Sequence, residues 1–159
     1  MPDQKREFLR HTVATLAYRG GKATRGASAE FAEFAIGENP KTPVQILAHI
    51  GDLLDWAVTI AEGKQAWNNS TPLPWDDEVK RFRATLQKFD DYLASDRPLA
   101  GSAEVLFQGP VADALSHVGQ LAMLRRLAGT KMKSENYAKA EIVAGRVGAQ
   151  QAVPKREFD

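Results

Sequence analysis

The stretch TPVQILAHIGDLLDWAVTIA, residues 42–61, decides the fold. Thr42 can cap the free backbone N–H groups of a helix start. Pro43 suits the first helical position, where its missing N–H is no loss, and Gln45 can reach back to the cap residue. Beyond that start Ile46, Ile50, Leu53, Ala57 and Ile60 recur every third or fourth residue and draw one apolar stripe. The spacing predicts a helix to about Ala61. A stripe of this kind needs partners, and the chain supplies them on both sides.

Downstream, Val79, Phe82, Leu86, Phe89 and Leu93 repeat the same alternation. Asp76, Asp77 and Glu78 stand at the start, where the helix dipole favours negative charge. Upstream, Leu9, Val13 and Leu16 predict a helix from about Gln4 to Tyr18, ended by Gly20-Gly21. A short apolar cluster, Phe31, Phe34 and Ile36, lies between it and Gly37. Gly109-Pro110 reads as the start of a fourth helix that closes at Gly129 after Arg125 and Arg126, cations placed to serve its C-terminal dipole. A weaker fifth helix is expected from Ser134 to Val147, followed by a polar, frayed tail over residues 150–159. The expectation is an all-α, single-domain chain over residues 1–159: a four-helix bundle with an additional C-terminal helix.

Composition narrows the function. Of 159 residues, 43% are hydrophobic and 26% charged, so the chain can bury a real core. Lys and Arg number 21 against 20 for Asp and Glu, which gives no bulk field toward nucleic acid or an anionic membrane. There is no cysteine, which removes disulfides, thiolate metal sites and cysteine nucleophiles together. The first ten residues carry Asp3, Lys5, Arg6, Glu7 and Arg10 with no apolar signal core, and no uninterrupted apolar run approaches the roughly 20 residues needed to span a bilayer. A cytoplasmic protein with no nucleic-acid or membrane partner is expected. No Gly-rich phosphate loop and no serine-triad signature occurs.

Three histidines remain to be placed. His49 borders the apolar stripe of the second helix. His117 lies on the apolar side of the fourth, between Ala114 and Leu121, with Asp113 one turn earlier on the same side. A carboxylate and an imidazole at this spacing, facing a third donor on a neighbouring helix, can hold a divalent cation inside a bundle; two nitrogens and one oxygen suit Zn²⁺, Ni²⁺ or non-haem Fe²⁺. Asp52, one turn beyond His49, is placed to orient an imidazole. The spacing alone is common, and most helix-face histidines are satisfied by ordinary hydrogen bonds. His11 falls opposite its helix's apolar residues and reads as a surface group. Trp56, Trp67 and Trp75 could line a pocket, but core or loop packing is the expected role of each.

Two segments carry a family likeness. Thr42-Pro43-Val44-Gln45-Ile46-Leu47-Ala48-His49-Ile50 resembles the histidine-bearing second helix of DinB-like proteins, and Ser116-His117-Val118-Gly119-Gln120-Leu121 resembles their His-x-Gly-Gln element. The likeness runs from the first helix to about Gln150. It implies an up-down-down-up four-helix bundle, often a homodimer, with a metal held by three histidines. It also implies kinship with mycothiol- or bacillithiol-dependent transferases and maleylpyruvate isomerases. His49 matches the first ligand and His117 the last; Asp113 stands where the family has its remaining histidine. On this reading a small-molecule substrate meets a low-molecular-weight thiol cosubstrate, which Gln120 would orient. The competing expectation is a non-catalytic binding or stress-response bundle whose site the Asp113 change has altered.

The segment Glu104-Val105-Leu106-Phe107-Gln108-Gly109-Pro110 matches a 3C-type protease recognition sequence. Because proline biases its predecessor toward extended backbone, a loop upstream of the fourth helix is expected here, with Leu106 and Phe107 packed on the bundle.

Overall fold

The computed structural model describes residues 3–158, which are mostly helical. Four long helices dominate: α1 (Gln4–Thr24), α3 (Pro43–Ala61), α4 (Trp75–Ala94) and α6 (Ala112–Leu127). Two single-turn helices, α2 (Ala29–Ala32) and α5 (Ala103–Leu106), sit in the connections. A two-stranded antiparallel ribbon, β1 (Ser134–Glu135) with β2 (Glu157–Phe158), lies near the C-terminus.

Helix α1 packs on α4 and α6, and α3 packs on the same two, so each long helix touches two others around a common core. The stripes expected from the sequence fill that core: Leu16, Ile50, Leu53, Leu86, Phe89 and Leu121 are buried. Burying each such side chain contributes about 1.5–3 kcal/mol. The start of α3 forms as its sequence dictates, with Thr42 N donating to Gln45 Oε1 (2.9 Å) and Gln45 N donating to Thr42 Oγ1 (3.5 Å). This helix is also long and apolar enough to cross a bilayer by composition, but most of it is buried against the other helices.

Arginines tie the helices together through polar groups. Arg10 grips the buried Asp90 carboxylate with two nitrogens, at 3.0 and 3.1 Å, fixing α1 to α4. Arg6 donates to the carbonyls of Tyr92 and Leu93 in the last turn of α4, where the helical ladder runs out. Arg125 does more than serve its own helix. Its guanidinium, nearly buried, donates to the carbonyls of Ala23 and Arg25 at the end of α1 and to Thr130 beyond α6.

Five expectations need correction. Gly20-Gly21 does not end α1, which continues to Thr24; Gly20 instead lets the Phe82 ring approach its backbone. Gly109-Pro110 does not open a helix after a loop. Ser102 caps α5 by accepting from Val105 N (3.2 Å), and the helix runs on through a wide π turn, Phe107–Val111, into α6. The wide turn accommodates a ring that an α-helix would drive into the preceding carbonyl. Within it Leu106 is fully buried, as expected, while Phe107 is 43% exposed.

The fifth helix is replaced by β1, a 3₁₀ turn (Tyr137–Lys139) and irregular chain, with Gly145 at φ 91°. Long-range anchors outweigh its weak periodicity. Glu135, wholly buried as a side chain, accepts from Tyr18 (2.6 Å) and Lys22 on α1, and Lys22 also reaches Glu157 (2.9 Å). The same contacts draw Glu157 and Phe158 into strand β2, where a frayed tail was expected.

Candidate metal centre

Helix α3 carries His49 and α6 carries Asp113 and His117, and the packing of α3 on α6 brings all three together. One ligand atom from each lies within 4.8 Å of the others, and the group can hold a metal ion. His49 Nε2 is 3.8 Å from Asp113 Oδ2, and the two imidazole rings meet at 61° with centroids 4.6 Å apart. Two donors about 2.1 Å from a tetrahedral zinc stand about 3.4 Å apart. The His49–Asp113 separation is close to that spacing, and the Asp113 side chain is 47% exposed.

The tautomer of His117 follows from its neighbours. Nδ1 lies 2.8 Å from the backbone oxygen of Asp113, one turn back, and 3.2 Å from its Oδ1. A carbonyl oxygen only accepts, so Nδ1 carries the proton and Nε2 keeps its lone pair for a ligand. Burial pushes the pKa of His49 down, and repulsion from a protonated His117 adds to this; attraction to Asp113 opposes both, and Lys41 contributes further repulsion. A half-buried, neutral imidazole is the form that binds metal.

No protein-family model, curated protein or solved structure matches this chain. The site therefore stands on its own geometry.

Asp52 is buried, but its carboxylate does not hydrogen-bond an imidazole. Oδ1 and Oδ2 accept from the Ser70 hydroxyl (2.6 Å) and amide (3.0 Å), and Oδ1 also takes Arg81. Its charge still reaches His49 as a weak attraction. Gln120 is exposed and lines a neighbouring cleft with Ile46, Lys41 and Ser116. His11 is exposed on α1 and is not part of the triad.

The tryptophans divide. Trp75 is buried and packs edge-on against Phe31 with ring centroids 5.7 Å apart, as core packing requires. Trp56 and Trp67 instead flank the His49–Asp113–His117 group, in a cleft of about 540 Å³ lined by His49, Leu53, Gln65 and Asp113. Trp56 follows His49 by seven residues, two helical turns, so its place beside the site was readable from spacing. Trp67 lies on the coil between α3 and α4, and no periodicity could place it.

Proposed function

We propose that this chain is a divalent-metal-dependent protein with a DinB-like, up-down-down-up four-helix bundle, acting on a small molecule in the cytoplasm as a thiol-dependent transferase or isomerase. The observation that carries the reading is the convergence of His49, Asp113 and His117 from two helices on one point. The resemblance of residues 42–50 and 116–121 to DinB-like segments supports it, as does the pairwise packing of the four long helices.

The donor set fits an ion such as Zn²⁺, Ni²⁺ or Fe²⁺: two imidazoles, one carboxylate and positions left open toward a cleft. Such an ion, when bound, lowers the pKa of a coordinated thiol or water and so supplies a nucleophile at neutral pH. The chain's own residues do the rest. Asp113 holds His117 in its ligating tautomer through the backbone and offers its carboxylate as the third donor. His49 remains neutral because its surroundings disfavour its charge. With no cysteine present, the thiol comes from a small-molecule cosubstrate.

Elemental analysis of the purified protein before and after chelator, followed by titration with Zn²⁺, Ni²⁺ and Fe²⁺, tests the reading. About one ion per chain, removable and restorable, is expected. No stoichiometric uptake of any of the three would favour a non-catalytic bundle.

A further inference from the structure

The coil between α3 and α4 holds a large aromatic side chain in the open. Trp67 is 44% exposed, an unusual state for an indole whose apolar face would be stabilised by burial. Its position is nonetheless fixed. Nε1 donates to Asn69 Oδ1 (3.0 Å), and the preceding amide, Ala66 N, donates to Thr59 Oγ1 (3.1 Å). Further along, Ser70 binds Asp52 through both amide and hydroxyl, and Leu73 N donates to the fully buried Glu78 (3.0 Å). Arg81 organises both acids, donating to Asp52 and lying 3.5 Å from Glu78 Oε2. An irregular segment anchored at this many points is held in place for the residue it presents.

What it presents is a corner. The Trp67 and Trp56 rings meet at 89° with centroids 5.8 Å apart, and Trp67 also touches His49 at 5.6 Å. Behind them, the Trp56 ring edge lies over Gly109 of the π turn, 3.6 Å from where a β-carbon would stand. A planar ring lying on the face of one indole stands perpendicular to the other and can present its edge to it, so stacked and edge-to-face contacts, the two arrangements aromatic pairs prefer, are both open to it. The residues lining this cleft, His49, Leu53, Trp56, Gln65, Trp67 and Asp113, include no lysine or arginine, so away from the metal position no side chain there selects a phosphorylated or otherwise strongly anionic group.

We propose that Trp56 and Trp67 form an aryl subsite, and that the molecule bound at the triad carries a neutral planar aromatic or conjugated group beside its metal-binding donor. The assignment rests on the metal reading above for the position of the donor. Gln65 adds a polar side chain to the lining of the same cleft.

The test compares benzohydroxamic acid with acetohydroxamic acid, which share a metal-binding head and differ in the aryl group. With zinc-loaded protein, the aryl compound should bind about tenfold more tightly or better. Trp67→Ala should erase that preference while leaving zinc content and acetohydroxamate affinity unchanged. Equal affinities in the zinc-loaded native protein, or an aryl preference that survives Trp67→Ala, would overturn the subsite. A protein that takes up no zinc overturns the metal reading instead, and the subsite is then read separately with millimolar benzyl alcohol. In ¹⁵N-resolved spectra the indole N–H resonances of Trp56 and Trp67 should shift while that of buried Trp75 stays fixed. No shift, or a shift of all three alike, overturns the aryl subsite on its own.

Discussion

The ring of Phe82 on α4 rests against the backbone of Gly20 on α1 so closely that a β-carbon at Gly20 would stand 2.5 Å from its Cζ. Gly20→Ala is therefore expected to destabilise the fold by about 1–3 kcal/mol, because a buried ring must shift. At Gly21 the nearest atom is 3.8 Å away, at the flexible end of Arg25. Gly21→Ala should stabilise by about 0.5–1 kcal/mol through helix propensity. Urea unfolding of the two variants gives the comparison, and equal destabilisation would show that helix contact does not explain Gly20.

Removing a metal donor should cost binding and spare the fold. His117→Ala is expected to lose stoichiometric zinc uptake while its helical circular dichroism stays within a few per cent of the parent, since the core is built from the stripes of α1, α3, α4 and α6. Unfolding of the variant together with metal loss would contradict that division.

In the metal-free protein His49 should titrate below 6.5, its ordinary value, with burial the main cause. A histidine with a depressed folded-state pKa contributes stability that is present above about pH 6.5 and is lost as pH falls through the lowered value. Asp113 is the main group favouring the His49 charge, so Asp113→Asn should lower the midpoint further. Proton NMR of the His49 ring across pH 4–8 measures both, and a midpoint that rises in Asp113→Asn would refute the assignment.

The 3C-type recognition sequence lies within the α5, π-turn and α6 helix, with Leu106 fully buried. A protease that binds extended chain must first wait for local unfolding there. The native protein should resist the enzyme under conditions in which the urea-unfolded chain is cut after Gln108. Rapid native cleavage would mean that this helix opens easily.

Phe8, Val105 and Phe107 are exposed, and Phe8 and Phe107 lie along an apolar groove between α1 and α5. The DinB-like resemblance implies a homodimer, and this edge is where a second copy is expected to bury them. Sedimentation equilibrium should give a dimer at micromolar concentration and a monomer for Phe8→Glu. A monomeric parent protein rejects the dimer.

Local chemistry made much of the molecule legible beforehand. The capped start of α3, the stripe from Val79 to Leu93 and the shared face of Asp113 and His117 are consequences of helical period and of what Thr, Pro and Gln do at a helix end. Those features need only neighbours within a few residues. The misread boundaries were positions where a distant partner outweighed local preference. Gly20 is helical because Phe82 uses its missing side chain, Pro110 stays inside a helix because a wide turn makes room, and residues 134–158 follow Lys22 and Tyr18 instead of their own weak period. The same holds at the site. The sequence by itself determined which donors share a helix face. Only the tertiary structure decided that His49 meets them across the α3–α6 contact, that Asp52 binds Ser70 and Arg81, and that Trp67 stands over the cleft. Helical spacing fixes directions along one element, whereas the approach of two elements depends on how every side chain between them packs.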